Sequence, residues 1–388
     1  MSEILSLLPK QVIAILDIFQ DNVRLVGGAV RDILANKKTQ DYDFCSLLAP
    51  QEIINTLQQH NIKAIDINAT YGTIIALLDG YQFAITTARS DQNCSGRSCD
   101  VQFCQNYIDD SARRDFTINA LYLDFRGQIY DYHCGLQHLQ QKKLLFIGDP
   151  VARIQEDHLR ILRFFRFSID YYADESAMQS CLENAKLLKT LSRTRIRQEI
   201  MKIIKNSDLA SLIKILSIFN QHFSAFLALK FDINALQNNK INNICQDDVL
   251  LIALAFLDCD INNLAFDLAR REKKILQQLQ QNLSIFPAQD EQKQLLALQY
   301  LLFSSDIFML HTIFLFEKNI INHNVFDNFL INYQVWQQYK FPVNACDLIN
   351  IAKNKINTAL QLAKKQWIKE RFLPTKQDLL NFIDNHRL

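Results

Sequence analysis

Hydrophobic spacing divides this chain near residue 150. Before that point, short apolar runs stand between turn residues such as Asp79-Gly80 and Arg126-Gly127. They predict strands at 23–26, 42–45, 73–78, 82–87, 101–103, 121–125 and 128–130. Helical spacing fits residues 10–20, 29–35 and 50–60. After Asp149-Pro150 glycine becomes scarce and amphipathic helical periodicity runs on to the end. The pattern predicts an α+β chain, a small α/β head followed by an all-helical remainder.

Composition narrows the function classes. With 388 residues, 49% of them hydrophobic, the chain has material for two or more domains. A formal net charge of +1 supplies no global basic field, so any nucleic-acid surface must come from local clustering. The nine cysteines form no Cys-x-x-Cys pair, and reduced thiols in a cytoplasmic protein are expected. The N-terminus reads as an amphipathic helix interrupted at Pro9-Lys10 rather than a signal peptide. The longest apolar run, 249–257, falls short of the roughly 18 residues that a membrane span needs.

Candidate chemistry begins at residues 25–45, LVGGAVRDILANKKTQDYDFC. This stretch reads as strand, double-glycine turn, helix start, loop and second strand. Asp41 and Asp43 lie two apart on the second strand and so face one way. Two carboxylates that close repel, and folding alone gives no reason to hold them together. A divalent cation does, because hard ions take oxygen ligands and Mg²⁺ shares its shell with substrate phosphates. Gly27 and Gly28 let the backbone come close to a ligand, and the following helix aims its N-terminus and Arg31 at the same place. A phosphate cradle beside a metal-binding pair is the layout of phosphoryl or nucleotidyl transfer. Taken singly, Asp-x-Asp is common and Gly-Gly is often only a turn; their order and short separation carry the reading.

Two later stretches add to it. In residues 111–121, SARRDFTINAL, paired arginines and Asp115 open a helix-like run. This is either a solvated turn with a salt bridge, or Arg114 meets phosphate while Asp115 or Asn119 meets a ribose hydroxyl. In residues 153–167, RIQEDHLRILRFFRF, Asp157, Arg160, Arg163 and Arg166 recur every three residues, one slowly drifting stripe on a helix. Leu159, Ile161, Leu162, Phe164 and Phe165 are left for the core. Charged groups beside so much apolar surface must pair or contact a ligand. An Arg fork next to an Asp acceptor matches the Watson–Crick face of a base. A salt-bridged network within the helix is the plainer alternative.

Together these pieces resemble the class II tRNA nucleotidyltransferases (CCA-adding enzymes) and bacterial poly(A) polymerases. The matching motifs are LVGGAVRD (25–32), the Asp-x-Asp at 41–43, TTARSD (86–91), ARRDFTINAL (112–121), IYDYHCGL (129–136) and EDHLRILRFFRF (156–167). LSRTRIRQEIMKII (191–204) and FPVNACDLI (341–349) match more weakly. The resemblance implies a nucleotidyltransferase head (1–140), a helical neck with a base template (141–205) and a helical body and tail that bind tRNA (206–388). It implies that Asp41 and Asp43 hold Mg²⁺, that Gly28, Arg31 and Arg114 bind the triphosphate, and that Asp157 and Arg160 pair with CTP and then ATP. Arg163 and Arg166 would support the nucleotide. The RNA 3′-hydroxyl would attack the α-phosphate and pyrophosphate would leave. The partner would be the acceptor arm of tRNA, gripped by shape more than sequence. Arg193, Arg195, Arg197, Lys202 and Lys205, with Lys364, Lys365, Lys369 and Arg371, are candidate phosphate contacts, each of which surface solvation also explains.

The chain departs from the family pattern in places. Ala84, in FAITTAR, stands where the family usually carries a glutamate. Cys134 replaces a glycine and His138 an acid in the segment thought to act as a hinge between head and neck. Ser98-Cys99 lacks a common basic residue, and no glycine stands near Ala345-Cys346. The expected activity is CCA addition. The alternatives are poly(A) synthesis, CC-only or A-only addition, and a catalytically decayed RNA-binding paralogue.

Overall fold

A computed structural model describes residues 3–227, 290–304 and 321–386, apart from 40, 69, 70, 96, 97 and 349, together with the single residues 231, 233, 312, 315 and 316. The apolar run at 249–257 lies outside the described residues. Two compact units divide the chain near residue 230.

The first unit is built on a mixed seven-stranded sheet. Its strands are β1 (Val23–Val26), β2 (Asp43–Ser46), β3 (Lys63–Asn68), β4 (Thr73–Leu78), β5 (Tyr81–Thr87), β8 (Leu121–Leu123) and β9 (Ile129–Asp131), in the order β3-β4-β5-β2-β1-β8-β9. Between β5 and β8, β6 (Arg89–Ser95) and β7 (Ser98–Phe103) form a separate antiparallel hairpin. Only β2 and β5 pair in parallel within the large sheet. Helix α1 (Lys10–Phe19) buries Val12, Ile15, Leu16 and Phe19, a helical stripe, in the same core as Val23, Leu25, Phe44, Phe83 and Ile85 of the sheet. Helices α2 (Gly28–Leu34) and α3 (Pro50–Gln59) add Ala29, Val30, Ile33, Ile53 and Leu57 to it.

The expected strands and the three early helices all appear, with small shifts. The second strand starts at Asp43, so Asp41 lies just before it. Two strands that spacing missed, β3 and β6, carry many polar residues. In β3, at the sheet edge, Ile65 and Ile67 point to solvent, so no buried face marks it.

Two helical expectations are corrected. The paired arginines of residues 111–121 open no α-helix. Helix α4 (Tyr107–Ala112) ends at the arginines, with Asn106 capping its start through Asp109 N at 2.8 Å. Beyond it the chain runs extended: Thr117 N bonds to Leu145 O and Ile147 N to Asp115 O, and Thr117–Asn119 makes one 3-10 turn. Residues 153–167 are two helices, not one. After α5 (Gly135–Gln140), α6 (Pro150–Glu156) is capped by Asp149, and α7 (Leu159–Phe167) follows a break at Asp157, whose backbone is extended. At the break the Asp157 carboxylate accepts Leu159 N at 3.1 Å, a local side-chain to main-chain bond that competes with continuing the old helix. The stripe therefore starts at Arg160. Leu159, Ile161, Leu162, Phe164 and Phe165 of α7 are buried as expected. Helix α8 (Glu175–Glu183) packs beside α6, and α9 (Arg193–Asn206) beside α7.

Gly135 and Cys134 open α5. A Cβ on Gly135 would collide with the Thr117 carbonyl oxygen, so only glycine fits there. Cys134 lies at φ 57, in the left-handed region where an L side chain costs about 1–2 kcal/mol. Cys134→Gly should remove that strain, while the greater freedom of glycine in the unfolded chain takes back about 0.5–1 kcal/mol. A net gain of about 0.5–1 kcal/mol is expected in denaturant titration. A lower midpoint would show that the thiol contributes contacts outweighing its backbone.

In the second unit, helices Ile356–Lys369 and Lys376–Asn385 enclose Val343, Leu348, Ala359, Ala363, Trp367, Ile368, Leu379 and Ile383. Asp347 of the FPVNACDLI motif fastens this core by an ion pair to Lys376 at 2.6 Å.

Candidate active site

Strand register assembles the site. Val26, the last residue of β1, pairs with Asp43, the first of β2, and on its other side with Tyr122 of β8. The Gly27-Gly28 turn therefore leaves the sheet where the acidic strand enters it. Gly27 sits at φ +78 and donates to Leu121 O at 3.1 Å. Around it two arginines converge. A Cβ on Gly27 would stand 3.5 Å from Arg114 Nη1, and one on Gly28 would stand 3.7 Å from Arg31 Nη2. Helix α2 has only 7 residues, so anion attraction at this turn falls on the arginines more than on the helix.

Asp41 and Asp43 are both exposed while Tyr42 between them is buried, so the two carboxylates share one side. The walls around Asp43 strip enough water to raise its carboxyl above the ordinary range; Arg114 pulls it back and Asp41 pushes it up again. Across the parallel pairing, Asp43 is level with Ala84 of β5. Residues in register on neighbouring strands point to one face, so a glutamate at 84 would stand beside Asp43. Here a methyl group does. Among the described residues no group of three or more His, Cys, Asp or Glu converges as a metal site. Two carboxylates without further protein ligands nonetheless suit Mg²⁺, which keeps waters and takes phosphate oxygens.

Behind the turn lies a buried ionic network. The Asp110 side chain, 0% exposed, accepts from Arg113, from Arg114 Nη2 at 2.8 Å and from the Tyr122 hydroxyl at 2.7 Å. Burial alone would raise this carboxyl; the two guanidiniums and Tyr122 outweigh it and hold it far below the usual range. Asp110 thus aims Arg114 at the glycine turn. Arg113 also nears Asp91 (4.0 Å) at the base of the β6–β7 hairpin, where Asp91 pairs with Arg89 at 3.3 Å.

Asp115 and Asn119 are buried and bond to each other at 3.1 Å. Asp115 holds Arg163 at 2.6 Å and Asn119 accepts from Arg31 Nη1. Both are thus spent on positioning arginines. Burial opposes the Asp115 charge, but Arg163, Asn119 and the Phe116 amide keep its pKa at about 2.

The expected template edge is divided differently. Asp157 accepts two bonds from Arg195 Nη2, at 2.8 and 3.0 Å. Arg160 turns inward, to Glu156 at 2.7 Å and to the carbonyls of Arg153 (2.9 Å) and Arg113 (2.7 Å). The two are neighbours, with Arg160 N on Asp157 O at 3.0 Å, but their side chains do not pair. Arg166 meets Glu199 at 3.2 Å, and burial with Arg163 beside it lowers its pKa to about 10. Sequence reasoning missed Asp110, Glu156 and Glu199. The signal for the first was present, since in DDSARRD the aspartate stands three and four residues before the arginines, one helical turn away. Of the basic residues proposed for RNA, Arg195 is engaged by Asp157 and Lys202 lies 3.6 Å from Glu199.

Residues 23–145 match the family model of the poly A polymerase head domain. The human protein "CCA tRNA nucleotidyltransferase 1, mitochondrial" is 30% identical over 387 residues, 93% of this chain and 86% of that one. The chain belongs to the CCA tRNA nucleotidyltransferase family. The CCA-adding enzyme of Lactobacillus helveticus is 37% identical over 182 residues, 46% of this chain and 45% of that protein. The whole fold is also similar to solved members of this family. A Bacillus stearothermophilus CCA-adding enzyme in complex with CTP superposes with a TM-score of 0.71 at 19% identity, covering 100% of this chain and 98% of that one. One from Thermotoga maritima, complexed with tRNA, gives 0.71 at 16%, covering 99% and 98%. For a nucleotidyltransferase of this family, divalent-metal dependence is implied.

Proposed function

We propose that this chain adds C, C and A to the 3′ end of tRNA from CTP and ATP, releasing pyrophosphate. The observation that carries this is the register that sets the Gly27-Gly28 turn, Arg31 and Arg114 beside Asp41 and Asp43, in a chain of CCA-adding lineage from end to end. Gly28, Arg31 and Arg114 take the triphosphate and fix its α-phosphate for in-line attack. Asp41 and Asp43 hold Mg²⁺, which when bound lowers the pKa of the RNA hydroxyl and offsets charge on the leaving oxygens. Arg163 and Arg166 line the nucleotide, and Asp157 with Arg160 reads its base once Asp157 leaves Arg195 and Arg160 leaves Glu156 and the Arg153 and Arg113 carbonyls. The division into head (1–140), neck (141–205) and tRNA-binding body and tail (206–388) belongs to this reading. Among the described residues no helix is long and apolar enough to cross a membrane. Cys45, Cys104, Cys134, Cys181 and Cys346 are free thiols, which suits a reducing compartment, and we read it as the cytoplasm.

The test uses tRNA transcripts ending before CCA, after C and after CC, with CTP, ATP or both and Mg²⁺. Full-length CCA on the first transcript is expected. Extension by CC alone, by A alone or into a long A tract would replace the reading with the corresponding partial or poly(A) activity, and no extension would end the enzyme reading. Ala84 favours a second outcome, the correct product formed slowly, because Asp43 and Asp41 work without a third acid from β5.

A further inference from the structure

Phe167 ends α7 and has an unusual surround. Three guanidiniums approach its ring: Arg166 at 4.6 Å from the centroid, Arg31 at 4.9 Å and Arg163 at 5.7 Å. Two come from its own helix and one from the head motif beside the glycine turn. Each also has a carboxylate: Asp32 for Arg31 (2.7 Å), Asp115 for Arg163 (2.6 Å) and Glu199 for Arg166 (3.2 Å). Their shared element is the ring. Like charges drawn this close repel, and an aromatic face offsets that by attracting cations through its quadrupole. Phe167 is itself fixed edge-on against Phe116, centroids 5.4 Å apart, and is only half-buried. Asn119 and Asp115 close the circuit, joining Arg31 to Arg163 through their mutual hydrogen bond.

We propose that Phe167 is a positioning residue for the nucleotide's triphosphate: its ring gathers Arg31 of the head and Arg163 and Arg166 of α7 into one guanidinium cluster beside the Gly27-Gly28 turn. The proposal rests on the nucleotidyl-transfer reading and deepens it. Because phosphates are common to both substrates, the effect is the same for CTP and ATP and leaves base choice alone.

The test is Phe167→Leu, which keeps apolar bulk and removes the π face, with Phe167→Tyr as the variant that restores it. Equilibrium binding of CTP, of ATP and of inorganic pyrophosphate with Mg²⁺, without RNA, is the first readout. About tenfold weaker binding of all three is expected for the leucine variant, with near-normal binding for the tyrosine variant and an unchanged Tm. In steady-state addition, KM should rise for both nucleotides while kcat and the CTP/ATP preference hold. Unchanged binding by Phe167→Leu overturns the proposal, as does a loss confined to one nucleotide, which would place the ring at the base. A fall in Tm without a change in binding reduces it to core packing. If the wild-type chain binds the nucleotides but extends no tRNA, the functional reading fails while the cluster stands; if it binds none of the three ligands, the cluster is overturned.

Discussion

Replacing Asp43 with alanine is expected to lower nucleotide addition on the order of 10³-fold, because a metal clamp on the transferring phosphate supplies several kcal/mol and each tenfold is about 1.4 kcal/mol. The fold should not suffer. Asp43 is at the surface, and its carboxyl is raised by lost hydration and by Asp41, so the folded state holds the charge less well than the unfolded chain does. For an acid with a raised folded pKa, ionisation opposes folding: the penalty is absent below the unfolded value and fully present above the folded one. At neutral pH the alanine variant should therefore melt at the same temperature or slightly higher. Asp41→Ala should behave alike in activity. Quenched-flow addition on tRNA ending in CC, with thermal melts of the same samples, measures both. Activity retained in either variant would show that the carboxylates beside the glycine turn do not serve the reaction. Loss of activity with loss of fold would move them into the structural framework.

The halves of the site differed in how far the chain itself revealed them. Asp43, Gly27 and Gly28 were placed by local pattern, a strand start and a glycine turn, whereas Asp41, expected on the strand, lies just before it; β1–β2 pairing adds that Val26 meets Asp43. The arginine stripe was legible as composition but not as geometry. Spacing by three placed Asp157 on a helix with Arg160, yet the same carboxylate bonds the main chain at Leu159 N, and the helix is broken at that point. No local pattern told which role would prevail, since the outcome depends on Arg195, 38 residues on. For Asp115 and Asn119 the chain left a ribose contact and a salt-bridged turn open; the structure has them hold Arg163 and Arg31, partners that only tertiary packing supplies. The polar strand β3 escaped because an edge strand with Ile65 and Ile67 facing solvent has no buried face to advertise it.

Asp110→Ala is expected to be the most damaging single change to stability, about 3–5 kcal/mol. The carboxylate is wholly buried and is shared by Arg113, Arg114 and the Tyr122 hydroxyl. Taking it away leaves two guanidiniums side by side in a place with little water, and breaking a buried pair from one side costs that much. Asp110→Asn should cost nearly as much, because it keeps the shape and removes the charge. The pH dependence gives an independent check. Asp110 is held below its ordinary range, and Asp115 at about 2. Groups with depressed folded pKa values stabilise fully above the unfolded carboxylate value of about 4 and lose that contribution as pH falls through the folded value. The wild-type chain should thus lose stability between about pH 4 and pH 2 more steeply than Asp110→Ala, which has one such carboxylate fewer. Urea titrations of both proteins across that interval measure the difference, and parallel curves would mean that Asp110 carries no net electrostatic stabilisation. The same variant should weaken triphosphate binding, since Arg114 then keeps only Tyr122, whose hydroxyl accepts from its Nε at 3.1 Å, to aim it at Gly27. Unaltered CTP binding by the folded variant would release Arg114 from its assigned place at the phosphates.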